Sequence, residues 1–143
     1  MPCPKRNSWP GRATVDYLLD THVTLWALTE PTRLGRTARE LIENRSSKLV
    51  VSAVSAWEIA TKHRLGKLPQ ADVLLGAYAK HLDRLGVMRL SVAEDHALLA
   101  GRLEWNHRDP FDRMFAAQAM MESMVIITGD PAFDGCPGVA TLW

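Results

Sequence analysis

The stretch HRDPFDRMFAAQA (residues 107–119) decides which fold is expected of this chain. Asp109 before Pro110 is typical of a helix start, because aspartate caps free amides and proline suits the first helical position. The run that follows is mostly apolar, which predicts a buried helix. Two carboxylates, Asp109 and Asp112, therefore lie at the amino end of a buried helix, and helix capping explains only one of them.

Short apolar runs alternate with helical patterns on either side of this stretch. Strands are predicted at residues 15–19, 48–52, 87–90, 124–128 and 139–143, and further helices at 36–44, 56–66, 71–86 and 92–104. This alternation predicts an α/β fold, with a mostly parallel central sheet of about five short strands flanked by helices on both faces.

Bulk composition narrows the class of protein. A length of 143 residues fits one domain, expected over 15–143, while residues 1–14 are rich in proline, glycine and charge and are expected to form a disordered tail. Cys3 and Cys136 lie outside any CxxC spacing, which fits a reducing compartment. No apolar run approaches the ~20 residues that span a bilayer, and the first residues lack the apolar core of a signal peptide. A cytoplasmic protein with no membrane role is expected.

Four acids are expected to meet at one edge of the sheet. Asp20 ends the first strand, Asp130 follows the fourth, and Glu58 and Asp112 are expected in the first turns of helices. Ligands of open parallel sheets bind at this edge, where strand carboxyl ends and helix amino ends come together.

Each acid also has a purely structural interpretation. Glu58 with Ser55 fits the S/T-x-x-E capping box, and Glu94 with Ser91 fits it equally well. The other three acids could serve a strand end, a helix dipole or a turn. Together, however, four converging carboxylates would repel one another, and a hard divalent cation such as Mg²⁺ or Mn²⁺ gives a reason to gather them.

The charge balance suggests an anionic substrate. The chain has 17 basic and 16 acidic residues, so setting the four site acids aside leaves a surplus of five positive charges. Arg108 and Arg113 flank Asp112 and are expected to position phosphate. Lys62 and Arg64 are further candidates, although a solvated helix face explains them as well.

Four stretches in order resemble a known family. They are LLDTHVTLWAL, VSAVSAWEIATKHRLGKL, HRDPFDRMFAAQA and IITGDPAF. In this order and spacing they resemble PIN-domain proteins, specifically the VapC-type toxins of toxin–antitoxin pairs, from about Tyr17 to the last residues.

The resemblance implies a Mg²⁺- or Mn²⁺-dependent endoribonuclease, usually dimeric, that is neutralised by a VapB-type antitoxin. It implies catalytic and metal-binding roles for Asp20, Glu58, Asp112 and Asp130. Thr128 and Ser55 are candidates to support these acids, and Asp134 is an alternative to Asp130. One or two ions would activate a water that attacks phosphorus in line, leaving a 5′-phosphate on tRNA, rRNA or mRNA fragments.

Three other functions remain as alternatives. A phosphoryl-receiver signalling domain also has an acidic Mg²⁺ pocket, but no adjacent acid pair follows the first strand here. A non-catalytic binding module would not need all four acids. A flap-type nuclease acting on structured DNA would share the site, yet the chain shows no extra clamp or arch.

Overall fold

Five parallel strands form the centre of the fold in the computed structural model, which describes residues 15–143; the predicted tail over residues 1–14 lies outside them. The strands are β1 (Asp16–Leu19), β2 (Lys48–Ser52), β3 (Met88–Leu90), β4 (Met124–Ile127) and β5 (Thr141–Leu142). Their spatial order is β3-β2-β1-β4-β5, and every neighbouring pair is parallel. The predicted strands are therefore confirmed, each shortened at its ends by up to three residues except β2.

Seven helices of residues 15–143 cover the sheet. They are α1 (Thr21–Thr29), α2 (Arg36–Glu43), α3 (Ala53–Arg64), α4 (Asp72–Leu75), α5 (Tyr78–Leu85), α6 (Glu94–Arg102) and α7 (Pro110–Glu122). Short 3-10 turns lie at Pro31–Arg33, Pro69–Ala71 and Pro131–Gly135. No helix among residues 15–143 has the length and apolar character that crossing a membrane requires.

Hydrophobic residues of the three central strands supply both faces of the sheet. Consecutive strand residues point to opposite faces, so a strand covered on both sides needs a continuous apolar run. One core contains Leu18, Val50 and Ile126 with residues of α3 and α7. The opposite core contains Leu19, Val51 and Ile127 with residues of α1, α2 and α5. The predicted two-sided α/β architecture is confirmed.

Helix α1 was not predicted from the sequence. Its residues include three threonines, a valine and a histidine, all of modest helix propensity, and no clear polar face. Asp20 starts the helix instead, since its carboxylate accepts a hydrogen bond from the Val23 amide at 2.8 Å. Burial of Val23 and Leu25 in the core then stabilises a helix whose local sequence has little helix preference of its own.

The capping box proposed for Glu58 is wrong. Helix α3 begins three residues earlier than predicted, and Ser52 caps it by accepting from the Val54 amide at 3.1 Å. Ser55 is fully buried inside the helix, and Glu58 lies in its second turn, not its first. Glu58 is therefore left without a capping task.

The second box, Ser91 with Glu94, is also wrong. Helix α6 begins at Glu94, and its amino end is held by the ring of His96, whose Nδ1 accepts from the Ala93 amide at 3.0 Å. The single helix predicted over residues 71–86 is likewise broken at Gly76 and Ala77 into α4 and α5.

Candidate functional site

A small acidic recess lies where the carboxyl ends of β1 and β4 meet the amino end of α7. It encloses about 80 Å³ and is lined by Asp20, Thr21, His22, Glu58, Lys62, Asp109, Asp112 and Asp130. All four predicted site acids are thus brought together, and Asp109 joins them. The larger depressions formed by other residues of the described range 15–143 lack this concentration of carboxylates, so the chemistry of the lining, not the volume, identifies the candidate site.

Asp20 is the most deeply held of these acids. One carboxylate oxygen caps α1 through the Val23 amide at 2.8 Å, and the other accepts a hydrogen bond from the Thr128 hydroxyl. Burial raises the pKa of Asp20 despite these two hydrogen bonds. Pairing of β1 with β4 places Leu19 opposite Ile127, so the residues that follow the two strands become neighbours.

Glu58 is buried and receives two donors. The Thr21 hydroxyl donates to Oε1, and the Lys62 ammonium donates to Oε2. Burial works against the charge of Lys62, but its hydrogen bond and attraction to Glu58 raise the pKa of the lysine. Ser55 supports this group indirectly, since its hydroxyl lies within hydrogen-bonding distance of the Thr21 hydroxyl, at 3.4 Å.

Asp112 lies at the third helical position of α7. Its Oδ2 is 2.7 Å from Nε2 of His107, which precedes the helix. Burial raises the pKa of Asp112 to about 6; the contact with His107 lowers it, and the charges of Asp109 and Glu58 raise it. A carboxyl group with this pKa is ionised at neutral pH and is destabilising while no cation compensates it.

The two remaining acids are helix caps that also line the recess. Asp109 accepts from the amides of Phe111 at 2.8 Å and Asp112 at 3.2 Å, so the predicted cap of α7 is confirmed. Asp130 accepts from the Ala132 amide at 2.9 Å at the start of a 3-10 turn. Asp130, not Asp134, is the acid of this turn that lines the recess.

The raised pKa of Asp112 has a consequence for stability. In EDTA, the folded protein binds an extra proton between pH ~4 and 6, so its free energy of unfolding falls as the pH rises through this window. Asp112→Asn lacks this titration. We expect the variant to be more stable than wild type by about 1–2 kcal/mol at pH 8, with the advantage vanishing towards pH 4.

Thermal or urea unfolding at several pH values measures this difference. Glu94→Gln, which neutralises an exposed acid at the start of α6, is the control and should change stability by at most about 0.5 kcal/mol at every pH. An advantage of Asp112→Asn that grows on acidification would show that Asp112 is not a strained carboxylate.

Thr128 connects two site acids and invites a second test. Its hydroxyl donates to Asp20 and accepts from the Asp130 amide at 3.0 Å. Thr128→Val keeps the shape but leaves buried polar atoms unpaired, so the free energy of unfolding should fall by about 2 kcal/mol. Thr37→Val, at an exposed position of α2, should change it by less than about 0.5 kcal/mol. Equal stability of the two variants would contradict the proposed support.

The basic residues predicted to contact phosphate have three different surroundings. Arg108 and Arg64 are exposed. Lys62 is paired with Glu58. Arg113 instead donates to the backbone carbonyls of Ala100, Leu103, Trp105 and His107 at 2.7–3.0 Å. Its guanidinium holds the loop before α7, which is a structural task, and this position does not support the predicted phosphate contact.

Three polar groups of the site were not assigned from sequence. Thr21 donates to Glu58, His107 contacts Asp112, and Asp109 lines the recess while it caps α7. The spacing of His107 and Asp112 carried no usable signal, because the residues between them form a loop and the first turn of α7. Asp109 was already explained as the cap of α7, and nothing in the sequence indicated that it also lines the recess.

The donor set suits a hard divalent cation. His107, Asp109 and Asp112 offer three ligand atoms within 4.8 Å of one another, and Asp20, Glu58 and Asp130 add carboxylate oxygens around the same recess. Among the residues that the structure describes, Lys62 is the one lysine or arginine of the lining, so five carboxylates face one ammonium group there. Carboxylate oxygens are the ligands that Mg²⁺ and Mn²⁺ prefer.

Comparison with known proteins agrees with this fold. The PIN-domain family model matches residues 17–137. Ribonuclease VapC22 of Mycobacterium tuberculosis is 31% identical over 116 residues, which cover 79% of this chain and 85% of that protein. Ribonuclease VapC16 of the same organism is 39% identical over 64 residues, or 45% of this chain, and the match spans only 44% of that relative.

Solved structures share the architecture. The DNA-bound VapBC structure from Salmonella typhimurium contains a chain that superposes with a TM-score of 0.66 at 16% identity, covering 90% of this chain and 98% of that one. At this identity the likeness concerns the fold alone.

Proposed function

The chain belongs to the PIN-domain family, among its VapC-type members, and from that premise we propose that it is a Mg²⁺-dependent endoribonuclease, the toxin of a VapBC-type pair. The observation that supports this most strongly is the recess in which five carboxylates face one lysine. The family relationship supplies the reaction class, and the recess supplies a place for the ion that this reaction needs.

Four acids would hold the ion. We propose Asp20, Asp112 and Asp130 as ligands, with Glu58 binding directly or through water. Mn²⁺ would fit the same oxygen donors, and one or two ions would be accommodated. A bound divalent ion lowers the pKa of water and neutralises charge developing on the phosphoryl group, which would support hydrolysis to a 5′-phosphate and a 3′-hydroxyl.

The surrounding side chains orient these acids. The Val23 amide and Thr128 fix the two oxygens of Asp20, and the His107 ring fixes one oxygen of Asp112. Such partners of metal-binding groups typically change activity or metal affinity 10- to 100-fold when removed. Thr128→Val is therefore expected to weaken cleavage by that factor, in addition to its effect on stability.

RNA would approach over the exposed basic residues. Arg108 directly precedes the capping Asp109 and lines an open depression beside the recess with Trp105 and His107. Arg64 lies on the exposed side of the last turn of α3. Both are free to contact phosphate oxygens, whereas Lys62 is held by Glu58 until an ion or substrate displaces it.

One assay tests the proposed activity against its rivals. Purified protein is incubated with tRNA, rRNA, mRNA and structured DNA in Mg²⁺, Mn²⁺ or EDTA, and the new ends are sequenced. We expect RNA cleavage with 5′-phosphate ends that EDTA abolishes. Cleavage of DNA alone would support a flap-type nuclease, and no cleavage of either would support a binding module.

We further propose a VapB-type antitoxin and a second copy of the chain as partners, acting in the cytoplasm. The solved neighbours named as VapBC complexes support the antitoxin as a partner, because their fold is shared. Co-expression with the product of a small neighbouring gene should relieve growth arrest. A neighbouring product that neither binds the protein nor relieves its toxicity would count against the pairing.

A further inference from the structure

Trp57 is exposed beside the acidic recess, although tryptophan is usually largely buried. The residue is 56% exposed, yet the position of its ring is fixed by a near-perpendicular contact with Phe111, with ring centroids 4.6 Å apart. The indole is thus held in place while much of its surface remains open to solvent.

The two rings are tied to the site by the chain itself. Trp57 directly precedes Glu58 on α3, and Phe111 directly precedes Asp112 on α7. Their contact bridges the two helices that carry these acids. The open indole is therefore placed where a strand of nucleic acid whose phosphate reaches Glu58 and Asp112 can contact it.

The exposed side of α3 extends this surface. Ala53, Trp57, Ala60 and Arg64 are all exposed and follow one another at helical spacing, so they form one stripe. The small alanines on either side leave the indole uncovered. Arg64 lies about 10 Å along the axis from Trp57, and side chains on a helix lean towards its amino end, which directs the guanidinium towards the ring.

We propose that Trp57 is a stacking platform for an unpaired RNA base next to the phosphate that is cut, with Arg64 contacting the backbone. This proposal rests on the proposed ribonuclease function and names a residue that positions its substrate. Aromatic rings beside cationic groups are the common means of binding single strands, since every base has a π-face. Preorganisation by Phe111 lowers the ordering cost of the stack.

Binding to two synthetic RNAs tests the stack without depending on cleavage. The probes are a fluorescently labelled 12-nucleotide oligoadenylate and an abasic 12-nucleotide strand with the same phosphates. Binding is measured by anisotropy with Ca²⁺ in place of Mg²⁺, and gels check that the strands stay intact. Wild type should prefer the adenylate strand, and Trp57→Ala should lose roughly 5- to 100-fold on that strand only.

Matched variants separate stacking from a structural role. Trp57→Phe should recover most of the affinity, and Leu98→Ala, which trims another exposed apolar side chain on α6, should bind as wild type does. RNA should also quench part of the intrinsic tryptophan fluorescence, and that part should be missing in Trp57→Phe. In cleavage assays, Trp57→Ala should raise KM and leave kcat within about threefold.

Two outcomes would contradict the proposed role of Trp57 as a stacking platform. One is an equal loss of affinity of Trp57→Ala for both strands, which would show that the substitution acts through the fold and not through base stacking. Another is unchanged RNA binding by Trp57→Ala together with a changed molecular mass in light scattering, which would show that Trp57 belongs to a protein–protein interface. Neither outcome bears on metal-dependent cleavage by wild type, so the proposed function would stand or fall separately.

Discussion

Asparagine in place of Asp112 should lower the rate of RNA cleavage roughly 1,000-fold or more while the protein stays folded. A divalent ion supplies several kcal/mol to this kind of reaction, and losing ~4 kcal/mol of it corresponds to that factor. The amide keeps the size of the carboxylate and can still contact His107, which lies 2.7 Å from Asp112. Single-turnover cleavage and growth arrest at matched expression measure the loss.

The same variant separates a metal ligand from a helix cap. Mg²⁺ that binds only the folded state raises the melting temperature of wild type. Asp112→Asn should lose most of this response, whereas Glu94→Gln should keep both the response and the activity. An Asp112→Asn protein that remains toxic, or that melts below wild type in EDTA with its full Mg²⁺ response, would show that Asp112 only supports α7.

Removal of the Arg113 guanidinium should be the most damaging change outside the acids. Its donors satisfy four backbone carbonyls, one in the last turn of α6 and three between α6 and α7, at distances of 2.7–3.0 Å. Arg113→Met keeps the aliphatic stem but loses these charge-assisted bonds, and the free energy of unfolding should fall by about 3 kcal/mol. Arg113→Lys should recover less than half, because one ammonium cannot reach four acceptors.

Chemical unfolding measures this loss against a matched arginine. Arg36 is 93% exposed in its side chain and pairs with Glu40 across one helical turn. Arg36→Met should therefore cost about 0.5 kcal/mol at most. Similar midpoints for the two variants would mean that the loop before α7 holds its shape without Arg113.

The sheet and the convergence of four acids were predictable because they follow from local pattern and one topological rule. Parallel strands with apolar runs must be covered on both faces, and Asp20 and Asp130 follow two strands that pair as neighbours. Nothing local to Arg113 shows that its partners are carbonyls up to 13 residues earlier in the chain. Its charge next to Asp112 suggested phosphate contact, whereas its position in the fold assigns it to the loop.

The errors at helix starts have a different origin. Ser52 and Ser55 are both acceptable caps for α3, and a motif of four residues cannot choose between them. Burial decides, because Ser55 is enclosed in the helix against Thr21. Helix α1 went unpredicted for a related reason: the energy that forms it comes from packing of Val23 and Leu25, which a propensity scale does not count.

The two structural hydrogen bonds of Asp20 limit which substitutions can inactivate this chain without destabilising its fold. Replacement of Asp20 by alanine removes the cap of α1 and leaves Thr128 without its acceptor, so this variant should be less stable as well as inactive. Asp112 does not make two structural hydrogen bonds of this kind. Its replacement should therefore leave a folded, inactive protein that still binds the partners of the wild-type fold. Inactivated copies that persist in genomes should carry their lesions at Asp112 more often than at Asp20, and a bait for capturing partners is best made by changing Asp112.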